Sequence, residues 1–328
     1  MNLLAVDPVH PDPGAIAHAA EVLRRGGLVA FPTETVYGLG AHALDPEAVA
    51  RIYAAKGRPS YNPLIVHLAD AADAAALASE WPEAAERLAA AFWPGPLTLV
   101  VPRRPEIPDA VTAGLPSVAL RVPAHPVAHA LLRAAALPVA APSANRSTGV
   151  SPTTAGHVAR SLGDRVELIL DGGPTSVGIE STVLSLVGEI PTILRPGTLS
   201  VDRLREVVGE VATLADAPGG KAARPSPGML DRHYAPRAEV RLYDAGDARA
   251  EGEPAQARTA VMAWGPGPHP PGELVRMPAD AREYAARLYA TLHRLDEAGF
   301  DRIRVERVPD TAEWAGVRDR LRRAAHPG

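Results

Sequence analysis

Short apolar runs bounded by proline or glycine alternate with segments of helical periodicity throughout residues 14–208. Runs such as LVAFP and LTLVV are too short for a core helix. As β-strands they would place apolar side chains on both faces of a sheet. Strands of this kind need helices over both faces of their sheet, so the pattern predicts a layered α/β fold. The predicted strands are 28–32, 63–68, 97–101, 118–122, 166–171 and 182–187, and the predicted helices are 14–25, 46–55, 82–92, 125–136 and 153–162.

A second, smaller α/β pattern covers residues 237–328. It is separated from the first by residues 209–236, which contain GGKAARPSPG and show the weak periodicity typical of a linker. We therefore predict a larger α/β domain over 1–208, a linker over 209–236 and a smaller α/β domain over 237–328. In the smaller domain the predicted strands are 240–244, 260–264 and 302–308, and the predicted helices lie near 279–298 and 311–325.

The composition excludes several classes of protein. The 328 residues include no cysteine, which rules out disulfides, thiolate metal sites and a cysteine nucleophile. The sequence shows neither a signal peptide nor an apolar stretch of roughly 18 residues, so we expect no membrane span. The net charge of −4 lacks the basic excess of proteins that bind nucleic acid through its phosphates. We expect a cytoplasmic protein without strong direct binding to RNA.

Lys56 and Arg58 end one predicted helix, in a turn that also contains Gly57 and Pro59. Two cations this close in a turn can converge on a polyphosphate, with lysine as a point charge and arginine as a fork. The same placement also suits a solvated helix C-terminus, where the helix dipole favours cations. Lysine occurs only at positions 56 and 221, against 32 arginines, which favours a specific need for an ammonium group at Lys56.

Polar groups also follow other predicted strands, where open α/β sheets place their ligands. Ser143 and Asn145 end the run AAPSAN, PTETVYGLG (32–40) carries several hydroxyls, and Ser181 lies in GIESTV. Turn chemistry explains these loops equally well, with PTETVYGLG as a strand-to-helix turn. Arg121 lies in an apolar run, where a charge needs an ion pair or an anionic ligand. Because GxxxxGK[ST], GxGxxG, HExxH and GxSxG are all absent, the residues predict an anionic, phosphorylated ligand but no particular reaction.

Taken together and in this order, PTETVYGLG, KGRP with NPLIVH, FWPGPLT, LRVPAHP, AAPSAN, SPT, DGG, ESTV and LRPG resemble the YrdC-like family. The added SPGM…HYAP and the second α/β pattern are similar to the two-domain form of that family, the L-threonylcarbamoyladenylate synthases. The resemblance covers essentially the whole chain. It implies a YrdC-like twisted mixed sheet flanked by helices, linked to a smaller Rossmann-like α/β domain.

The resemblance also implies a reaction. L-threonine, bicarbonate or CO2 and ATP would give L-threonylcarbamoyl-AMP and pyrophosphate, for N6-threonylcarbamoyladenosine in tRNA. Such a displacement depends on positioning and charge neutralisation rather than on an enzyme nucleophile. Mg²⁺ is expected with ATP, without an identified protein ligand. The labile product is expected to pass in a transient complex to the tRNA threonylcarbamoyl transferase.

Family motifs assign roles to single residues, with Lys56 and Arg58 as the catalytic pair and Tyr234 in a linker that closes over the nucleotide. Arg121 would pair with the carboxylate of the amino acid. The residues assigned to ATP are Lys56, Arg58, Asn62, Ser117, Ser143, Asn145, Ser151, Arg195 and Tyr234. The residues assigned to L-threonine are Thr35, His67, Arg121, Ala141 and Ser181, and no residue is assigned to a metal.

Three other functions remain open at this point. One is an RNA-binding module without catalysis, which the balanced charge disfavours. Another is a carbamoyl-transfer maturation enzyme, a class whose zinc-finger cysteines are absent from this chain. The third is a related nucleotide-dependent enzyme that forms a carbamoyl adenylate from a different amine.

Overall fold

The computed structural model describes residues 2–213, 232–247 and 257–327. Most of the predicted linker, residues 214–231, lies outside the described residues. The predicted boundaries at 208 and 236 therefore stay predictions, although a strand at Ala212–Thr213 still pairs within the larger sheet.

The N-terminal part of the chain forms a large mixed sheet. In the described residues it has eleven strands in the order β1-β8-β2-β3-β7-β4-β6-β5-β9-β10-β11, with parallel and antiparallel pairs interspersed. The strands are β1 (Asn2–Ala5), β2 (Val29–Pro32), β3 (Tyr37–His42), β4 (Ile65–His67), β5 (Leu97–Pro102), β6 (Ser117–Arg121), β7 (Val139–Ala140), β8 (Leu168–Asp171), β9 (Thr182–Ser185), β10 (Thr192–Arg195) and β11 (Ala212–Thr213).

Helices cover both faces of this sheet, as the apolar strands predict. Along β2, Val29 and Phe31 pack into one hydrophobic core while Ala30 packs into the other, because successive side chains of a strand point to opposite faces. The predicted α/β class with a mixed, helix-flanked sheet is thereby confirmed. The helices are α1 (Pro13–Arg24), α2 (Pro46–Lys56), α3 (Ala71–Leu77), α4 (Glu83–Phe92), α5 (Asp109–Thr112), α6 (Pro126–Ala135), α7 (Ala155–Leu162) and α8 (Val201–Val208).

The motif PTETVYGLG forms a β-hairpin rather than a strand-to-helix turn. β2 pairs antiparallel with β3 from Val29 opposite Gly40 to Pro32 opposite Tyr37, leaving four residues in the connecting loop. The strand-to-helix alternative is wrong because Tyr37 and the glycines after it continue as a buried strand. Gly40 suits this strand because a Cβ there would lie 2.8 Å from Phe31 and Val139, closer than the packing allows.

The C-terminal part forms a separate parallel sheet of four strands in the order β12-β15-β13-β14 within the described residues. A long helix and a terminal helix pack against it in one hydrophobic core, as predicted for the smaller domain. The elements are β12 (Glu239–Tyr243), β13 (Thr259–Ala263), β14 (Glu273–Arg276), α9 (Ala281–Glu297), β15 (Arg302–Glu306) and α10 (Ala315–Ala324).

The elements that the sequence analysis missed are mostly short or exposed. β1 and β14 lie at the edges of their sheets and are largely exposed, so neither shows the apolar run of a buried strand. Helix α8 buries only Leu204 fully. None of the described helices is long and apolar enough to cross a membrane.

Glycines bring the two domains into close contact. Gly316 of α10 lies against Gly197, where an added Cβ would be 2.4 Å from the Gly197 carbonyl oxygen. Gly178, with φ of +80°, lies against the backbone of α9, where a Cβ would be 2.4 Å from the Ala285 oxygen. Any larger side chain at these positions would push the domains apart, because the groups met are rigid backbone. The loop before β9 therefore packs against α9, and the loop after β10 packs against α10.

Candidate active site

A small cavity of about 50 Å³, partly open to solvent, lies where β4 and β6 end, with His67 and Arg121 directly opposite each other in the strand register. It is lined by all five residues assigned to L-threonine and by four of the nine assigned to ATP. These nine are Thr35, Arg58, His67, Arg121, Ala141, Ser143, Ser181, Arg195 and Tyr234.

Lys56 is buried beside this cavity and is fixed to the loop after β7. It is the last residue of α2, and Gly57 ends the helix in the left-handed conformation with φ of 60°. The Lys56 Nζ donates to the carbonyl oxygens of Ser143 at 2.6 Å and Asn145 at 2.5 Å, and lies 3.5 Å from Asn145 Oδ1. The turn of Lys56 and Arg58 is therefore held against the loop of Ser143 and Asn145, although Lys56 and Ser143 are 87 residues apart in sequence.

The loop of Ser143 and Asn145 is itself held by internal hydrogen bonds. Ser143 Oγ donates to Asn145 Oδ1 at 2.6 Å, and Asn145 Nδ2 donates to the carbonyl oxygens of Arg146 at 2.9 Å and Gly149 at 2.8 Å. Every polar atom of the Asn145 side chain is therefore used inside the protein. Asn145 positions Lys56, while the prediction that Asn145 itself binds ATP stays a prediction.

Two arginines of the lining, Arg58 and Arg195, add positive charge to the cavity. Arg58 donates to the carbonyl oxygens of Asn62 at 3.1 Å and Pro63 at 2.8 Å, and Arg195 donates to the carbonyl oxygen of Ser181 at 3.0 and 3.2 Å. Burial, followed by repulsion from Arg58, lowers the pKa of Lys56 well below its usual value. The oxygen acceptors around Nζ favour the ammonium form, and an incoming anion would favour it further.

The cavity lining also carries hydroxyl groups and a neutral imidazole. Thr33 Oγ1 donates its one proton to the Val36 carbonyl at 2.7 Å, so Thr35 Oγ1 must donate to Thr33 across their 2.8 Å contact. Burial and the nearby Arg121 lower the pKa of His67 to about 3. Because its Nδ1 lies 3.2 Å from the Ile65 carbonyl oxygen, the proton is on Nδ1 and Nε2 is an acceptor.

Arg121 forms a buried ion pair with Glu34, its Nη2 lying 2.7 Å from Oε1. Its Nε also donates to the Gly95 carbonyl at 3.2 Å, and the second Glu34 oxygen accepts from the Ala124 amide at 3.1 Å. Of the two explanations for a charge in this apolar run, the ion pair is present. Arg121 still lines the cavity, and its Nη1 has no hydrogen-bond partner among the residues described, so it can also take a carboxylate.

Glu180 joins the two domains at the edge of the cavity. One of its oxygens accepts from Ser151 Oγ at 2.5 Å, and the other accepts from Tyr289 at 3.0 Å and from Arg320 Nε at 2.8 Å. Ser151, assigned to ATP, is thus occupied with Glu180. Sequence reasoning missed Glu34 and Glu180, although each lies inside one of the family motifs, and nothing local marked Tyr289 or Arg320.

His233 and Tyr234 from the HYAP segment close one side of the cavity. The two rings meet edge to face at 4.1 Å, and Tyr234 stacks on Tyr289 at 5.8 Å. Tyr234 adopts φ of 60°, a costly conformation for a residue with a Cβ. The Tyr234 hydroxyl and His233 Nδ1 are buried without a hydrogen-bond partner in the described part of the chain, which is unusual outside functional sites.

Like Lys56, Asn145 and Ser151, two further residues assigned to ATP are not among those that line the cavity. Ser117 begins β6, opposite Pro102 and four residues before Arg121, so the strand separates it from the cavity. Asn62 is buried, and its Nδ2 has no partner among the described residues. Their assignment to ATP stays a prediction.

The residues at the cavity do not form a magnesium site. Glu180 lines the cavity and Glu34 lies behind the lining residue Arg121, and both carboxylates are occupied by arginine partners. Among the described residues one group has metal-ligand geometry, His157, His293 and Glu297. The two imidazoles are stacked at 3.8 Å, and Mg²⁺ prefers oxygen ligands. The group also lies outside the cavity lining.

Fold and cavity together define a YrdC-like α/β protein with a second domain docked at the edge of the site. A family model described as "Telomere recombination" matches residues 21–197, and one described as "Threonylcarbamoyl-AMP synthase, C-terminal domain" matches residues 199–326. The chain therefore belongs to the two-domain threonylcarbamoyl-AMP synthase family.

Individual relatives agree over nearly the whole length. The chain is 44% identical to a threonylcarbamoyl-AMP synthase of Pyrococcus abyssi, over 94% of this chain and 93% of the relative. It is 42% identical to a threonylcarbamoyl-AMP synthase of Bacillus subtilis, over 94% and 92%. The crystal structure of P. abyssi Sua5 complexed with L-threonine superposes with a TM-score of 0.91 at 40% identity, covering 99% of this chain and 98% of that one.

Proposed function

We propose that this protein makes L-threonylcarbamoyl-AMP from L-threonine, bicarbonate or CO2 and ATP, releasing pyrophosphate, for modification of tRNA. The observation that carries the proposal is the division of the site. The buried cations form one chemical group, with Arg58 and Arg195 in the cavity lining and Lys56 beside it, and a neutral imidazole, hydroxyls and Arg121 form a second group in the same lining. The cationic group suits a triphosphate and the second group suits an amino acid.

The cationic group is proposed to hold ATP. Lys56, Arg58 and Arg195 would neutralise the phosphates and the charge that develops as pyrophosphate leaves. These groups are preorganised because backbone oxygens already hold each of them. Mg²⁺ is proposed to arrive on the phosphates of ATP rather than on protein carboxylates, and no step of the reaction is assigned to it.

The second group is proposed to hold L-threonine. The free Nη1 of Arg121 would take the carboxylate, while Thr35 and the His67 Nε2 would accept hydrogen bonds from the amine and hydroxyl. Ala141 and Ile65 offer apolar surface to the methyl group. The amine and CO2 form a carbamate with loss of one proton to solvent, and a carbamate oxygen then bonds to the α-phosphorus while the bond from that phosphorus to the pyrophosphate oxygen breaks. No protein group forms a covalent intermediate.

The first test measures pyrophosphate release from ATP by the purified protein, omitting L-threonine and bicarbonate in turn. We expect release only when both are present, with L-threonylcarbamoyl-AMP as the co-product. Release with another amino acid in place of threonine would support the different-amine alternative. ATP binding without release under any combination would contradict the proposed function and favour the non-catalytic module.

The HYAP segment is proposed to act as a lid. A cavity of about 50 Å³ holds only a few water molecules, since each needs about 10–15 Å³. His233 and Tyr234 line this narrow cavity, so their movement would widen it for a nucleotide, and on closure the nucleotide could satisfy their unpartnered polar atoms.

Tyr234→Ala should weaken ATP binding by about tenfold, because the ring and its hydroxyl are both lost. Tyr234→Phe serves as the matched control, since it keeps the ring stacked on Tyr289 and removes only the hydroxyl. Calorimetric titration of ATP into each variant checks the prediction. Unchanged ATP affinity in Tyr234→Ala would remove the lid from the proposal.

After synthesis the adenylate is proposed to pass directly to the tRNA threonylcarbamoyl transferase, in the cytoplasm. The lability of a mixed carbamic–phosphoric anhydride supports a short transfer, and the absence of cysteine fits a reducing compartment.

A further inference from the structure

Glu180 is a buried carboxylate held mainly by the C-terminal domain, although it lies at the edge of a cavity in the N-terminal domain. Its Oε2 accepts from Arg320 Nε at 2.8 Å and from the Tyr289 hydroxyl at 3.0 Å. Arg320 also donates to the Glu180 backbone oxygen at 3.3 Å. Neither partner belongs to the residues that the family motifs assign to substrates.

Arg320 is completely buried at the domain interface, with a side-chain exposure of 0%. It also donates to the Pro196 carbonyl at 2.8 Å and pairs with Asp319 at 2.9 Å. Its guanidinium lies 5.1 Å from the centre of the Tyr234 ring, within cation–π range. One side chain of α10 thus contacts the lid, the loop before β9 and the loop after β10.

Glu180 lies within electrostatic reach of the cations proposed to bind ATP. Burial alone would raise its pKa, but Arg320 and then Arg195 lower it to about 2, so the carboxylate is ionised at neutral pH. Its charge in turn favours the ammonium form of Lys56. An anion beside Lys56 and Arg195 would compete with phosphate for them unless it were otherwise engaged.

The docking that holds Glu180 is specified closely by the backbone. Gly178 lies two residues before Glu180 in sequence and packs against α9, while Gly316 lies four residues before Arg320 and packs against Gly197. Both contacts leave no room for a Cβ. The position of Arg320 relative to Glu180 is therefore fixed by the same interface that joins the domains.

We propose that Arg320 and Tyr289 are positioning residues for the ATP site. By holding and neutralising Glu180 they keep its carboxylate away from Lys56 and Arg195, so that these cations meet the triphosphate. ATP affinity in the N-terminal domain then depends on docking of the C-terminal domain. This inference rests on the proposed function and adds a role for the second domain within it.

The test compares ATP binding by the full chain with and without the buried charge pair. Arg320→Met should raise the Kd for ATP by about 10- to 100-fold, because Glu180 is left free to pair with the phosphate-binding cations. Adding Glu180→Gln to the same protein should restore the Kd to within about threefold of the wild type, since no competing anion remains. Arg323→Met is the matched control, because Arg323 lies on the same helix and pairs with Asp319 but not with Glu180.

A pH series separates this electrostatic role from simple support of the fold. In the wild type the pKa of Glu180 is about 2, so it stays ionised between pH 5.5 and 8. Without Arg320 burial is less opposed and the pKa of Glu180 rises, although Arg195, Lys56 and Ser151 still favour its ionised form, so protonation toward the acidic end removes part of the competing charge. The ratio of the Arg320→Met Kd to the wild-type Kd should therefore shrink as the pH falls, whereas the ratio for Arg323→Met should stay flat.

Failure of rescue by Glu180→Gln, together with a Kd ratio that does not change with pH, would overturn the inference and leave Arg320 a structural residue. Thermal unfolding of each variant shows that the compared proteins are folded. If the wild type binds ATP but forms no adenylate, the proposed function fails while the rescue and the pH series still decide the role of Arg320. If the wild type does not bind ATP, both fail.

Discussion

Lys56→Met should reduce adenylate formation by about 100- to 1,000-fold, the usual loss when a preorganised charge is removed from a developing anion. Lys56 is buried, and its Nζ is fixed by the carbonyl oxygens of Ser143 and Asn145, so no exposed side chain can replace it. The measurement is pyrophosphate release at saturating ATP and L-threonine. Lys56→Arg should not restore activity, because the planar guanidinium group cannot fit among the carbonyl oxygens that surround the single Nζ atom of Lys56.

The matched control for Lys56 is Arg51→Met on the same helix. Arg51 is 59% exposed and makes a loose ion pair with Glu167, so its loss should leave activity unchanged. Thermal unfolding must show that Lys56→Met is folded, because its removal leaves two carbonyl groups without their donor. A folded Lys56→Met protein that keeps more than about a tenth of wild-type activity would exclude Lys56 from charge stabilisation.

Arg121→Met should have two separate effects. Folding stability should fall by about 3–5 kcal/mol, because Glu34 remains buried without its partner. The KM for L-threonine should also rise by about 100-fold, because the proposed carboxylate contact is lost. Urea unfolding measures the first effect, and initial rates at varied threonine concentration measure the second.

The double variant Glu34→Gln/Arg121→Met separates the two effects. Removing the unpaired carboxylate should recover most of the lost stability, because the neutral amide that replaces it needs no counter-ion. Threonine affinity should stay low, since the guanidinium is still missing. Recovery of both quantities together would show that Arg121 serves only the ion pair, and the proposed threonine contact would then be wrong.

Local features of the chain were sufficient to predict most elements of the fold. The strands whose residues are apolar on both faces, such as Val29–Pro32 and Leu97–Pro102, were predicted because burial on both sides leaves a pattern that a short window contains. The exposed edge strands Asn2–Ala5 and Glu273–Arg276 carry no such pattern, and their pairing is set by the neighbouring strand. PTETVYGLG was interpreted as a strand-to-helix turn, because its turn residues suit the start of a helix as well as the hairpin that is present.

The candidate site likewise contains residues that the sequence indicated and residues that it did not. Lys56 and Arg58 share one turn, and the spacing and the scarcity of lysine marked them as functional residues. The residues that hold the site together were not marked. Glu34 pairs with Arg121 across 87 positions, and Glu180 pairs with Arg320 across 140 positions. The charge of Arg121 did predict that a partner or an anion was required, but not which one.

The sequence by itself determined the layered α/β class, the two-domain organisation that the family models match and the positions of the chemical groups, because each is written in short-range periodicity or in motifs. Only the tertiary structure decided which charges neutralise one another and that the C-terminal domain contributes side chains to the edge of the cavity. The physical reason is that a buried ion pair depends on the distance between atoms after folding. Glu180 and Arg320 lie 2.8 Å apart because the two domains pack closely against each other at glycines.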